Sequence, residues 1–197
     1  MAYMNDSEQD LRRRRDLYRL IIARDCMNSV AETIQLAIKY KVNANHELFN
    51  IMHDSIVTNY GRAFVKMNPF GQISSKYEKL EDREMADTHK MLMYSRHKHV
   101  AHTEYFPNRV VLYPSGTERF DDSIASVPQF EIKKTYFSHH AYQSILKLAG
   151  WQTGMLLFDI ENRIRELYGK NGEKIVDVTE LITPDDVNLL KKQTKLK

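Results

Sequence analysis

The sequence predicts an all-α protein, a bundle of four to five helices with a β-hairpin-like insertion around residues 109–136. Three observations carry that expectation. Glycine and proline are scarce, seven and five in 197 residues, which suits helices joined by few turns better than a turn-rich β-sandwich. Long stretches repeat apolar residues every three or four positions. One short stretch shifts instead to β-branched and aromatic runs bracketed by Pro and Gly.

From about Asp6 to Lys41 no Gly or Pro interrupts a pattern that includes Leu17, Leu20, Ile21, Met27, Val30, Ile34 and Ile38; this reads as one long helix or two nearly collinear ones. Asn43-Ala44-Asn45 ends it, and Asn45 is the expected cap of a second helix carrying Leu48, Met52, Ile56, Tyr60 and Ala63, closing near Lys66 before Asn68-Pro69. A third helix is expected from about Lys76 to Ser95. Val110-Val111-Leu112-Tyr113 and Phe130-Glu131-Ile132, separated by Pro114, Gly116 and Pro128, supply the insertion. Ser138 offers the cap of a fourth helix that keeps its period through Leu167 until Gly169 stops it, about 45 Å at 1.5 Å per residue. Thr183-Pro184-Asp185-Asp186 has the makings of a last helix start: a cap, a proline at the first position and acids at the positive dipole end.

A chain of this length suits one domain with its own core, spanning 1–197. Cys26 is the only cysteine, so no intrachain disulfide is expected and a reducing, cytoplasmic setting is the simpler expectation. No apolar stretch approaches the roughly 18 residues needed to span a bilayer, and the acid- and arginine-rich start is unlike a secretory leader; neither membrane insertion nor secretion is expected. Twenty-nine basic against twenty-six acidic residues give a charge of +3, which favours a polyanionic partner only mildly.

The chemistry-bearing stretch is Tyr94-Ser95-Arg96-His97-Lys98-His99-Val100-Ala101-His102-Thr103-Glu104-Tyr105, which holds three of the eight histidines. Imidazole titrates near neutral pH and serves acid/base or metal chemistry. His99 and His102 stand three apart, but no carboxylate or further His falls at recognisable ligand spacing, so neither a metal nor any other cofactor is expected. Arg96, the polar His97, Lys98 and the Ala101-His102 pair, with five residues between Arg96 and His102, resemble the signature of the HEPN family of helical ribonucleases. Asn59-Tyr60-Gly61-Arg62-Ala63-Phe64 on the preceding helix resembles a Tyr-x-Arg-x-Phe stretch of the same subset. The resemblance covers roughly residues 10–168, leaving 169–197 as a C-terminal extension. It departs two residues after His102, where some members carry an aromatic and this chain has Glu104.

The resemblance implies RNA cleavage without a metal, in the setting of a toxin or of phage defence, with an antitoxin or other protein as a further partner. The residue types suit that chemistry. When a ribose 2′-OH attacks the adjacent phosphate, the always-charged Arg96 can stabilise the phosphoryl oxygens and His102 can act as general base or acid. His97 is the candidate for orienting the hydroxyl or the arginine. On a continuous helix six positions turn about 240° and rise about 9 Å, so Arg96 and its own His102 do not share a face. Two copies about a two-fold axis can bring both pairs to one cleft, and a homodimer is expected.

Plainer readings stand beside these. Arg96 and His102 can instead form a structural pair at a helix end, and the chain can be a non-catalytic helical dimerisation or binding module. Arg62 and Lys98 are candidate RNA contacts, as are Tyr60 and Tyr94 by base stacking. Arg62 equally suits a salt bridge. Arg12-Arg13-Arg14-Arg15, extended by Arg19, reads as a solvated helix face paired with Asp10 and Asp16, with Arg12 and Arg13 the first patch to test for RNA.

Overall fold

The computed structural model describes residues 6–97, 109–113, 129–133, 137–169 and 178–188. They are mostly helical: α1 (Asp6–Lys39), α2 (Phe49–Phe64), α3 (Arg83–Ser95) and α4 (Tyr142–Tyr168). Two strands, β1 (Arg109–Tyr113) and β2 (Gln129–Lys133), pair antiparallel with Val111 opposite Glu131. Single 3₁₀ turns lie at Ser75–Glu78, His139–Ala141 and Val178–Leu181. A short helical turn occupies 184–188. No helix among the described residues is long and apolar enough to cross a membrane.

The body is built by α1 packing along both α4 and α2, with α3 lying across α2 and α4. Its core repeats at helical spacing: Met27, Val30, Ile34 and Ala37 of α1 meet Ile56, Val57 and Tyr60 of α2 and Ile145, Leu148 and Ala149 of α4, all fully buried. Each such Val, Leu or Ile side chain removed from water stabilises the fold by about 1.5–3 kcal/mol. Leu92 carries α3 into the same core.

The helix ends explain where the observed elements differ from the expected ones. α1 is one uninterrupted helix, and it ends because Lys41 adopts φ 54°. The Val42 N–H then bonds the Ala37 carbonyl at 2.8 Å and the Lys41 N–H bonds that of Ile38 at 3.1 Å, the pairing of a Schellman stop with the buried Val42 as its apolar lock. Asn45 does not cap α2. Asn43 Oδ1 accepts the Asn45 N–H and His46 Nδ1 the Leu48 N–H, which holds 43–48 in turns and delays the helix to Phe49. α3 begins at Arg83 rather than Lys76, because Asp82 accepts the Met85 N–H at 3.0 Å while Ser74 caps a separate 3₁₀ turn. Ser138 likewise caps the 3₁₀ turn His139–Ala141 that feeds α4, and Gly169 at φ 71° ends α4 as expected. Thr183 and Asp186 form a reciprocal capping box.

Arg19 does not belong to a solvated face. It is 2 % exposed, and its guanidinium donates to the carbonyls of Arg62, Ala63, Val65 and Gly71 at 3.2, 2.7, 2.8 and 3.2 Å. A cation is thus set against the negative end of α2 and supplies donors to carbonyls with no partner inside the helix. Burial pulls the Arg19 pKa below its ordinary value. Its neighbours in the run divide the surface work. Arg14 pairs with Asp10 at 2.8 Å, and Arg15 holds Asp186 and donates to the Leu181 carbonyl at 2.8 Å, binding the C-terminal turns to α1.

Candidate functional site

Arg96 continues the axis of α3 in a π-type turn at 96–97, its N–H shared between the carbonyls of Leu92 and Met93. Such turns widen a helix by one residue and re-aim the side chain that follows. The Arg96 side chain is half-buried because it lies across α2 at Gly61. A Cβ built on Gly61 would stand 1.8 Å from Arg96 Cδ and 2.7 Å from Nε. Only glycine lets the guanidinium stem cross the helix so closely. Among the described residues no carboxylate or carbonyl pairs with that guanidinium, which keeps its full positive charge at neutral pH.

A buried polar network fixes the helices on which Arg96 rides. His89 precedes Arg96 by two turns of α3, and its Nδ1 lies 2.7 Å from the Tyr60 hydroxyl with Nε2 3.6 Å from Glu78. Gln152 of α4 donates to the same hydroxyl and to the Tyr77 carbonyl, each at 3.2 Å. The Phe64 ring meets His89 edge-on at 5.1 Å. Burial holds the His89 pKa below its usual value, against the opposing pull of Glu78, and burial raises the Tyr60 phenol above its own. Both are therefore neutral near pH 7, and the network orients without adding charge.

The expected site residues fare differently. Tyr60 is fully buried, so its ring is a core element under Gly61 and not a stacking platform for a base; this corrects the expected RNA contact, and the cause is the bond to His89 that turns the hydroxyl inward. Tyr94 is 54 % exposed on α3. His97 is exposed beside Arg96, and Arg62 is exposed beside Gly61. Arg12 and Arg13 are exposed near the start of α1. Lys98, His99 and His102 lie outside the described residues. Among the described residues no three His, Cys, Asp or Glu side chains converge on a metal-sized space.

Sequence reasoning missed Gly61 as a seat for Arg96, although a glycine inside a helix costs about 1 kcal/mol against alanine and so asks for a reason. It also missed His89 and Arg19, which carry no motif. A cavity of about 480 Å³ opens between α1, residues 72–77 and α4, where Lys76 pairs with Asp159 and Arg163 with Glu166, at 2.6 and 2.9 Å. Arg96 is the stronger candidate for binding an anion. No protein-family model, curated protein or solved structure matches the chain.

Proposed function

We propose that this chain is a metal-independent endoribonuclease of the HEPN kind, acting as a homodimer in a toxin or phage-defence setting. The observation that carries the reading is the Arg96 side chain laid across Gly61 of α2, half-buried and with no anion paired to it among the described residues. A phosphodiester supplies that anion. In the reaction the ribose 2′-oxygen bonds to phosphorus while the bond to the 5′-oxygen breaks, leaving a 2′,3′-cyclic phosphate. Arg96 binds the phosphoryl oxygens as their charge grows, and its fixed pose means that little reorganisation is needed when it does. His102 takes the 2′-proton or delivers one to the departing 5′-oxygen, and His97, exposed beside Arg96, orients the hydroxyl. Arg62, Lys98, Arg12 and Arg13 track the backbone of the RNA.

The test is cleavage of mixed RNA in EDTA by the purified chain, beside the Arg96→Ala/His102→Ala double variant. Cleavage lost in the variant supports the enzyme. Equal cleavage by both proteins marks a contaminant. Retained RNA binding with no cleavage in either moves the reading to a binding module.

A further inference from the structure

The cavity between α1, residues 72–77 and α4 is lined by bases and acids in equal number, Arg19, Lys76 and Arg163 against Asp16, Asp159 and Glu166. At about 480 Å³ it falls within the roughly 300–1,000 Å³ of sites that hold small molecules. Four of these charges are committed to each other. Lys76 holds Asp159 at 2.6 Å, the Tyr77 hydroxyl donates to the same carboxylate, and Arg163 holds Glu166 at 2.9 Å. Arg19 and Asp16 remain, a base and an acid without a charged partner among the described residues.

The end of α2 explains why these two do not pair. Asp16 and Arg19 stand three apart on one face of α1, the spacing at which an acid and a base ordinarily meet. Arg19 is instead drawn to the carbonyls of Arg62, Ala63, Val65 and Gly71, which take its Nε and Nη2. Carbonyls solvate the guanidinium without neutralising it. Its Nη1 is buried with no acceptor among the described residues, and a buried donor left unpaired is costly. Asp16, exposed at the cavity, keeps an open charge.

These two groups define what fits between them. A plain anion drawn to Arg19 meets the carboxylates of Asp16, Asp159 and Glu166, and a plain cation drawn to Asp16 meets Arg19, Lys76 and Arg163. A molecule that carries both charges on one short stem avoids either conflict. The ammonium and carboxylate of an α-amino acid sit on a single carbon, and Asp16 and Arg19 rise from neighbouring turns of α1 with Cβ atoms about 5–6 Å apart. The remaining wall suits the rest of such a molecule. Leu20 and Ile73 offer apolar contact, while Gln72, Ser74 and Asn162 bring groups that both donate and accept.

We infer that this cavity binds a free α-amino acid as its zwitterion, with the carboxylate on Arg19 Nη1 and the ammonium on Asp16. The carboxylate supplies the acceptor that the buried guanidinium lacks, in surroundings of low polarity where a charge-assisted bond is strong. The bases and acids of the wall sum to zero, and a zwitterion leaves that sum unchanged. The site shares no residue with the seat of Arg96 on Gly61, so it stands whether or not the chain cuts RNA.

The test is the melting temperature of the full chain with the common α-amino acids added one at a time, followed by calorimetric titration of the best. At least one is expected to raise the melting temperature progressively with its concentration. Its carboxamide and its des-amino analogue are each expected to bind at least about ten-fold more weakly, equivalent to about 1.4 kcal/mol. Asp16→Asn alters an exposed side chain and keeps the fold; it is expected to weaken the amino acid by the same factor while binding the des-amino analogue no more weakly than wild type does. Asn162→Trp fills the cavity and is expected to abolish binding, and Gln72→Trp, at an exposed position of the facing wall, does so should the first variant lose its fold. A chain that no amino acid stabilises, an affinity that survives Asp16→Asn or a folded tryptophan variant, or tighter binding of inorganic phosphate or a nucleoside monophosphate than of any amino acid overturns the assignment.

Discussion

Replacing Gly61 by alanine separates the role of Arg96 in stability from its role in function. The new methyl group would stand 1.8 Å from Arg96 Cδ, against 3.4 Å or more for ordinary contact. One of the two must move by at least about 1.6 Å. The helix backbone is held by the core packing of Tyr60 and Phe64, so the displaced group is the long arginine side chain, whose far end rotates at small cost. Alanine in place of glycine inside α2 contributes about 1 kcal/mol of helix propensity, and for a chain of this size that is about 2–4 °C in melting temperature. Catalysis responds in the opposite direction. A group that must meet a phosphoryl oxygen and is moved by more than about 1 Å costs roughly 100-fold in rate. The assay is single-turnover cleavage of a labelled RNA beside thermal melting of the same sample. A variant at least as stable as wild type and slower by about two orders of magnitude is the expected result. Cleavage within two-fold of wild type would refute the argument that the pose over Gly61 positions the arginine, and a parallel loss of stability and rate would assign Arg96 to packing.

Arg19→Met should destabilise the fold by about 3–5 kcal/mol in denaturant titrations, because the carbonyls at the end of α2 lose their donors; Arg19→Lys, with one ammonium for four carbonyls, should recover less than half. Lys41→Gly removes a side chain from a left-handed position and should stabilise by about 1 kcal/mol in the same titrations. The lowered pKa of His89 means the unfolded chain takes up its proton first as the solution is acidified. Stability from this residue is therefore fully present above the ordinary value near 6.5 and is lost as pH falls through the lower folded value; melts of His89→Gln against pH should lack that component. Arg12→Ser/Arg13→Ser should leave melting unchanged, since both side chains are exposed, while the logarithmic salt slope of RNA binding falls by about 0.7 for each phosphate that the variant no longer neutralises.

The helical body was legible because α1, α2 and α4 repeat their apolar residues over many turns, and long periodic signals average out local noise. The starts of α2 and α3 were not. At both places a short side chain, Asn43 or Ser74, accepts a nearby N–H and holds a turn outside the helix, and no pattern in the sequence decides that competition. The arginine run shows the same limit from the other side. Five similar residues in sequence become an exposed pair, an ion pair within α1, a tether to Asp186 and a buried helix cap, because their azimuths around α1 select different neighbours. Arg96 and His97 were identified from a motif, but the feature that gives Arg96 its pose, a glycine some thirty-five residues earlier on another helix, belongs to the packing of two elements. Tyr60 was misread for the same reason, since its inward turn depends on His89.

The partnership of α1 with α4 sets a schedule for making the protein. Met27, Val30 and Ile34 lie along a helix completed at Lys39, whereas Ile145, Leu148 and Ala149, which cover them, belong to a helix that ends at Tyr168, roughly 130 residues later. At about 5–20 residues per second a ribosome takes roughly 6–26 s to deliver that cover. The Arg15 tether to Leu181 and Asp186 spans still more of the chain. During that interval the nascent α1 presents a naked oily stripe with only α2 available to shield part of it, which makes this stretch the natural client for chaperones that ride the ribosome exit and delays the closing of the core until α4 has emerged.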